Sequence, residues 1–193
     1  METLRFFFKY LNVGMLWLWR LGLGPLLSVW PTLFGRYLVI VHTGRKSGLR
    51  RYTPVNYALI DGEIYVAAGF GKRADWVRNT QANPRVELWL PNGWWDGVME
   101  DVSGQEGHVE KLRRVLMDSG FAAPLFGGIN PHSASDAEMA RATTGYRLLR
   151  IHRTEARTGA GGPGEYAWVW PILTFLLLWR RRLQSPNQPI NRG

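Results

Sequence analysis

Two short glycine-rich segments concentrate the residues that could bind an anion. The first segment, GRKSG over residues 44–48, carries two basic side chains and a hydroxyl, and further arginines follow it at once. Glycines let backbone N–H groups turn into one concavity, a nest for phosphate or carboxylate oxygens. Arginine forks onto such oxygens, and lysine adds a point charge. The segment therefore predicts an anion site, with a solvated hairpin turn of incidental charge as the alternative.

The second segment, GFGKRADWVRNTQANP over residues 69–84, places more basic residues beside another glycine pair. Residues 69–74 also fit the G-x-G-x-x-A dinucleotide pattern. We reject that interpretation, because the predicted helix after it is short and Pro91 and Asn92 stand where the pattern requires an acidic residue. If the hairpin between the two segments pairs its strands, both segments approach the same anion.

The composition narrows the chemistry further. A chain without cysteine has no disulfide and no thiolate ligand, and its 4 histidines show no metal-ligand spacing. We therefore predict no metal site, and no residue is assigned as a catalytic acid or base. A net charge of +9 predicts an anionic partner. Nucleic acid is an unfavoured partner, because the basic residues gather on two compact turns instead of following one helix or strand.

Alternating hydrophobicity and turn signals predict the elements that position these segments. Asp61-Gly62 and Asn92-Gly93 are strong two-residue hairpin signals, so neighbouring strands are expected to be antiparallel. The predicted fold class is α+β, mainly β: a split antiparallel β-barrel of about six strands with short helices and apolar terminal segments. The predicted strands cover residues 37–43, 51–60, 63–68, 85–90, 94–102 and 146–152, and the helices cover 75–82, 109–116 and 136–142.

Composition also divides the chain into three regions. Residues 1–36 are an amphipathic, apolar segment, residues 37–153 are the predicted split-barrel cofactor-binding domain, and residues 154–193 hold a glycine-rich linker, an apolar segment and a basic tail. A bilayer-spanning helix needs about 20 uncharged, mostly apolar residues, and neither terminal segment provides them. Both therefore predict a cytoplasmic protein attached peripherally to the anionic inner face of the membrane. The alternative is that they cover the barrel or form a homodimer interface.

A family resemblance rests on three segments that occur in this order: GRKSGLRRYTPV, DGEIYVAAGFG and DWVRNTQANPRVEL. Together they resemble the deazaflavin-dependent nitroreductase and quinone reductase family over residues 37–152. The resemblance implies a split barrel related to those of FMN-binding flavin reductases and pyridoxamine-phosphate oxidases. It also implies an oxidoreductase that passes a hydride from reduced coenzyme F420, an 8-hydroxy-5-deazaflavin, to a quinone or nitro acceptor. An FMN-dependent reductase or oxidase and a non-catalytic cofactor-binding protein at the membrane are the alternatives.

Matching positions imply two sets of cofactor contacts in this chain. The first set, in and after GRKSG, would bind the phosphate and the acidic tail, and the second would line the deazaflavin or its linker. The first set is Arg45, Lys46, Ser47 and Arg51, and the second is Gly69, Gly71, Lys72, Trp76 and Asn79.

The chain departs from the family where the acceptor binds. Relatives place tyrosines before the last strand, whereas this chain has Phe121 and Phe126, which cannot donate a hydrogen bond. Asn56 and Tyr57, on the strand after the first segment, are the remaining polar candidates for the substrate site. We therefore expect a lipophilic small-molecule acceptor such as a quinone.

Overall fold

The strands close into a barrel. The computed structural model describes residues 2–29, 35–120, 123–124 and 128–184, excluding the side chains of residues 2–9 and 184. Six strands hydrogen-bond in the order β1-β2-β3-β6-β5-β4 and return to β1, with every neighbouring pair antiparallel. The predicted mainly-β, six-stranded α+β fold is confirmed. The strands are β1 (Tyr37–Thr43), β2 (Arg50–Ile60), β3 (Glu63–Ala68), β4 (Arg85–Leu90), β5 (Gly93–Asp101) and β6 (Arg147–Ala156).

The hairpin between β2 and β3 forms where the sequence predicts it. Asp61 and Gly62 both have positive φ, 51° and 83°, as the favoured two-residue turn requires. Pro54 lies earlier in β2, opposite Val39 of β1. The pairing of β3 with β2 covers only residues 57–60, so the missing N–H of Pro54 breaks no bond to β3.

Apolar side chains fill the barrel because alternate residues of each strand point inward. The interior is a cluster of buried aliphatic residues from the strands, together with Val77 of a helix that closes one end. Burial of this apolar surface is the main favourable contribution to folding. The cluster contains Leu38, Ile40, Ile64, Val66, Ala68, Val77, Val86, Leu88, Leu90, Met99, Leu149 and Ile151.

Helices cover the barrel from outside. Leu112 and Val115 of α3 pack on Ala58, Tyr65 and Leu148 of the barrel wall, in a second buried cluster. The described helices are α1 (Glu2–Arg20), α2 (Asp75–Ala82), α3 (His108–Met117), α4 (Asp136–Ala142) and α5 (Val169–Gln184), with 3-10 turns at Gly24–Ser28 and Gly71–Arg73.

The N-terminal helix packs on the barrel wall through its C-terminal half, with Trp19 as its most buried side chain. Trp19 is 1% exposed and packs with Val39, Trp89 and Trp94. Gly24 lies flat against its indole, since a Cβ there would be 2.2 Å from a ring atom. The C-terminal side of α1 thus belongs to the folded body of the protein.

The segment that leads into α5 binds to the end of α1. The Gly164 N–H donates to the Trp19 carbonyl at 2.8 Å, and the Tyr166 N–H donates to the Arg20 carbonyl at 2.9 Å. Trp170 Nε1 donates to the Leu21 carbonyl at 2.8 Å. The end of α1 and the start of α5 therefore meet on one side of the barrel. Among the described residues, no helix is long and apolar enough to cross a membrane.

Candidate functional site

The first turn, residues 44–49, joins β1 to β2 and is closed by its own backbone. The Gly44 N–H donates to the Leu49 carbonyl at 2.8 Å, and the Ser47 and Gly48 N–H groups donate to the Gly44 carbonyl at 3.2 and 2.8 Å. The Leu49 N–H donates to the Ser47 hydroxyl at 3.4 Å. These amides are already satisfied, so the expectation that they form an anion nest is wrong. Binding of an anion at this turn depends on side chains.

Arg45 ties the first turn to the beginning of α2. Its backbone N–H and its Nη1 donate to Asn79 Oδ1 at 3.2 and 2.9 Å. Nη1 also donates to Asp75 Oδ1 at 3.1 Å, and the same carboxylate oxygen accepts from Arg78 Nη2 at 2.8 Å. The hydrogen bond from Arg45, together with the positive charge of Arg78, lowers the pKa of Asp75. One charged carboxylate thus joins two guanidinium groups.

His42 lies behind Asn79 and is buried, with 4% of its surface exposed. Asn79 Nδ2 lies 3.3 Å from His42 Nδ1, and because an amide nitrogen only donates, Nδ1 is the unprotonated ring nitrogen. The ring proton is then on Nε2, 3.0 Å from Thr53 Oγ1 on β2. Burial, aided by the charge of Arg51, lowers the pKa of His42 to about 4. The imidazole is therefore neutral at neutral pH.

The other cations of the first turn face solvent. Lys46 and Arg51 are exposed, as is Ser47. Arg51 pairs with His42 in the register of β1 and β2, directly beside the turn. The first turn therefore combines one arginine that holds the backbone in place with exposed cations that a ligand can reach.

The second turn, residues 69–74, packs closely against the end of the loop before β6. Gly71 has φ +53°, and a Cβ there would lie 2.1 Å from the Gly145 carbonyl oxygen, so no side chain fits. A Cβ at Gly69 would lie 3.4 Å from the ring of Tyr146. Gly71 is therefore needed for this close approach of two backbones, whereas a Cβ at Gly69 would make only ordinary contact with Tyr146.

The two turns are joined by one cluster of charged groups. Arg78 Nη2 donates to the Arg73 carbonyl in the second turn at 3.4 Å and to Asp75 at 2.8 Å. Asp75 in turn binds Arg45 of the first turn. The structure therefore brings together the two basic segments that the sequence predicted to be neighbours.

A cleft of about 900 Å³ opens between the second turn, α3 and the loop that joins α4 to β6. Its volume is within the range of small-molecule binding sites. Its lining mixes cationic, apolar and hydroxyl groups, including Phe70, Lys72, Arg73, Leu112, Thr144 and Tyr146.

Tyr146 is the candidate functional residue that the sequence analysis missed. It lies just before β6, is half-buried and lines the cleft. Burial raises the pKa of its phenol, so the hydroxyl keeps its proton at neutral pH and can donate a hydrogen bond. The family resemblance implies tyrosines before the last strand, where this chain has Phe121 and Phe126, and both of these residues lie outside the described ranges. A tyrosine directly after a Thr-Thr-Gly turn was the only signal.

Comparison with protein families identifies most of this region. A family model described as F420H(2)-dependent quinone reductase matches residues 28–120. Over this stretch the chain is similar to that family. The family match includes both turns, α2 and the wall formed by β1–β5, and the resemblance inferred from the sequence is confirmed. Tyr146, β6 and α5 lie beyond it.

Solved structures give weaker likenesses. A conserved hypothetical protein from Mycobacterium tuberculosis is 20% identical, with a TM-score of 0.46, over 66% of this chain and 85% of that one. A structure described as an F420-H2 dependent reductase is 21% identical, with a TM-score of 0.44, over 61% and 94%. A putative pyridoxamine 5'-phosphate oxidase from Listeria innocua is 10% identical, with a TM-score of 0.43, over 63% and 86%. No residue role is transferred from them.

Of the predicted site residues that the structure describes, only Gly69 and Lys72 line the cleft, and three of the others have contacts elsewhere in the protein. Trp76 is half-buried and packs against the barrel interior, as does Tyr57, whose pKa is raised by burial. Asn56 Nδ2 donates to the Arg36 carbonyl at 3.2 Å. The described lining of the cleft includes none of the three. In the described part of the chain no cluster of His, Asp or Glu could hold a metal ion.

Proposed function

We propose that this protein is an oxidoreductase that uses reduced coenzyme F420 to reduce a quinone-like acceptor, with a nitro compound as the second candidate. One observation carries the proposal: the match to the quinone reductase family covers both basic turns, and one charge cluster joins those turns beside a cleft. In this proposal residues 37–153 are the cofactor-binding domain.

The chain's charges and the size of the cleft fit this cofactor. Lys46 and Arg51 beside the first turn, and Lys72 and Arg73 in the second, are exposed cations that suit a phosphate and an acidic tail. Gly69 and Gly71 let the second turn lie close to the cleft without side chains in the way. When bound, the deazaflavin supplies the hydride, so the protein has chiefly to bind it, orient it and exclude water.

The acceptor end of the proposal rests on the cleft wall. Phe70, Val109 and Leu112 give the lining apolar surface, which suits a planar, lipophilic molecule such as a quinone. The Tyr146 phenol lines the same cleft and keeps its proton, so it is our candidate for a hydrogen bond to an acceptor oxygen. It replaces the phenols that the sequence lacks at Phe121 and Phe126.

Binding and turnover test the proposal separately. We expect the purified protein to bind F420 at least about tenfold more tightly than FMN by fluorescence titration, and to oxidise reduced F420 when menadione is added. Tyr146→Phe should lower kcat by at least about tenfold while leaving the Kd for F420 within about twofold. Tyr37→Phe, which removes a half-buried phenol on β1, is the matched control and should change neither.

Other outcomes support the alternatives. Tighter binding of FMN would favour an FMN-dependent reductase or oxidase. Binding of F420 without oxidation of its reduced form by any quinone or nitro compound would favour a non-catalytic binding protein. If neither cofactor binds, the proposal fails.

We further propose that the terminal helices attach this enzyme to an anionic membrane surface from the cytoplasmic side. The large apolar side chains of α5 are unusually exposed, from 41% at Trp170 to 73% at Leu183. Trp17 and Val13 of α1, exposed by 50% and 51%, are further exposed apolar side chains on the other terminal helix. A basic run, residues 180–182, ends the apolar stretch, as in helices that lie in the headgroup region.

Vesicle binding tests this attachment. We expect the protein to sediment with vesicles that contain phosphatidylglycerol at low salt, and much less with pure phosphatidylcholine vesicles. Replacement of Arg180, Arg181 and Arg182 by glutamine should weaken sedimentation, as should deletion of residues 1–12, which leaves the buried Met15 and Trp19 in place. The control, Arg85→Gln with Arg114→Gln and Arg141→Gln, removes the same charge elsewhere and should behave as wild type. If the protein forms a stable dimer and sediments with neither kind of vesicle, a second copy of the protein covers α5 instead.

A further inference from the structure

A buried polar chain connects the barrel wall to the first turn. It runs from Thr53 on β2 through His42 on β1 and Asn79 on α2 to Arg45 in the turn. We propose that His42 and Asn79 are positioning residues that hold the first turn, through Arg45, in the shape that binds the anionic part of the cofactor. This inference rests on the proposed function and changes the role of Asn79, which the family resemblance implied to be a cofactor contact.

Donor and acceptor roles run one way along the chain. Arg45 can only donate, and it donates from its backbone N–H and from Nη1 to Asn79 Oδ1. This fixes the orientation of the amide, so Asn79 Nδ2 must face His42 Nδ1 and donate to it. The ring of His42 then donates from Nε2 to Thr53 Oγ1. No group in the chain can be reversed without placing two donors or two acceptors face to face.

Burial makes these bonds specific. His42 is 4% exposed and Asn79 is 6% exposed, so a polar atom that loses its partner there is not compensated by water. Asn79 therefore has both of its polar atoms occupied by the protein and is not oriented toward a ligand. Asn79 therefore affects ligand binding only by holding Arg45 in place.

Arg45 links Asn79 to the surface of the first turn. Its Nη1 is occupied by Asn79 and Asp75, at 2.9 and 3.1 Å, which makes it a brace between the turn and α2. Lys46 follows Arg45 directly, and Arg51 lies at the base of the same turn, both exposed. A turn held in one conformation loses less entropy when it binds an anion, which is the usual advantage of preorganisation.

Two substitutions that interrupt this series of hydrogen bonds, and one control substitution, test the inference. Asn79→Ala removes the centre of the chain, and His42→Phe removes the acceptor behind it. Thr80→Val is the matched control, because Thr80 is buried on the same helix but its hydroxyl donates to the Val77 carbonyl and not to the turn. Circular dichroism and melting temperature show whether each variant is folded.

The readout compares F420 with the same deazaflavin chromophore lacking its phosphate and acidic tail. We expect Asn79→Ala and His42→Phe to raise the Kd for F420 about tenfold, and to change the Kd for the truncated chromophore less than about twofold. The salt dependence of F420 binding should become shallower in both variants. Thr80→Val should match wild type for both ligands. Equal losses for the two ligands, or no loss for either, would overturn the inference.

Hydrogen exchange separates this inference from the proposed function. In Asn79→Ala and His42→Phe, the amides of Ser47 and Gly48 should exchange at least about tenfold faster than in wild type. The amides of the Asn92-Gly93 turn should keep their wild-type exchange rate. If wild type does not bind F420 but the turn loosens, the proposed function fails and the positioning role stands. If the turn amides keep their wild-type rate in both variants, the positioning role is wrong whatever the ligand.

Discussion

The first turn and α5 are both surface segments, but they differ in polarity and in how firmly they are attached to the rest of the protein. The first turn is polar and charged, yet buried side chains from two strands and a helix hold it in place. By contrast, α5 is apolar, and its described side chains are exposed almost throughout. Its first turn is attached to the body by Trp170, whose Nε1 donates to the Leu21 carbonyl.

This difference indicates which kind of binding partner each segment suits. A small charged ligand needs a rigid and complementary surface, because the cost of ordering the site reduces affinity. A lipid surface needs only apolar area and positive charge, without a fixed geometry. The anchored turn therefore fits a specific small molecule, and the bare helix fits an extended, unspecific partner. Substitutions in the two regions should separate stability, ligand affinity and membrane attachment.

Trp19 and Leu177 give the largest expected contrast. Trp19→Ala empties a site in which the side chain is 1% exposed, and should lower the free energy of unfolding by about 4 kcal/mol. Leu177→Ser changes a side chain that is 63% exposed, and should alter the free energy of unfolding by less than about 0.5 kcal/mol. Urea titration measures both.

Vesicle sedimentation completes this contrast. Leu177→Ser should bind vesicles with phosphatidylglycerol more weakly, because it removes apolar area from the surface proposed to face lipid. A strongly destabilised Leu177→Ser would mean that α5 packs on the protein in solution, and the contrast between the two regions would collapse.

His42 predicts the next effect, through pH. The pKa of His42 is about 4 in the folded protein, against an ordinary value of 6.5. Between pH 4 and pH 6.5, therefore, this histidine is protonated in the unfolded chain but not in the folded protein. Stability attributable to this group is therefore constant above pH 6.5 and falls as the pH drops toward 4. At pH 4.5 the loss should be about 2.5 kcal/mol.

The pH dependence is measured by difference. Urea unfolding of wild type and His42→Gln at pH 7 and pH 4.5 cancels the carboxylates common to both proteins, including Asp75. Wild type should lose about 2.5 kcal/mol more than the variant over this interval. Thr80→Val changes a buried side chain that does not titrate and should lose as much as wild type. Equal losses in wild type and His42→Gln would mean that His42 is accessible to protons in the folded state.

Local signals explain why the fold was predictable from the sequence. Hairpin turns such as Asp61-Gly62 specify antiparallel neighbours by themselves, and alternation then determines which side chains fill the barrel. The short helix after the second turn also follows from local sequence, with Asp75 in its first turn and Asn83-Pro84 after its end.

The site was only partly predictable, because its geometry depends on contacts between distant residues. Arg45 and Asn79 are 34 positions apart, and nothing in the sequence shows that the amide occupies the arginine instead of a ligand. The fit of Gly71 against Gly145 likewise appears only when the loop before β6 folds back. Tyr146 reaches the cleft through that same contact, which the sequence around it does not reveal.

The exposed cations beside the first turn should affect ligand affinity without affecting stability. Lys46→Ala and Arg51→Ala should each raise the Kd for F420 about tenfold, because each removes one charge-assisted hydrogen bond. Neither should change the melting temperature by more than about 2 °C, since both side chains are exposed. Arg85→Ala, an exposed arginine on β4, is the control. If all three variants keep the wild-type Kd, the ligand does not use the first turn.

Asp75 predicts the smallest effect and the sharpest test of how the turn is held. Its carboxylate neutralises Arg45 and Arg78, at 3.1 and 2.8 Å, exactly where an anionic ligand would be attracted to them. Asp75→Asn removes that negative charge but leaves Arg45 bound to Asn79, so the turn should keep its shape. Because the carboxylate is 67% exposed, the gain is screened by water, and the Kd for F420 should fall only about twofold. Glu138→Gln removes an equivalent exposed charge from α4 and should leave the Kd unchanged. A Kd that rises in Asp75→Asn would show that the carboxylate, and not the buried amide, is what holds Arg45.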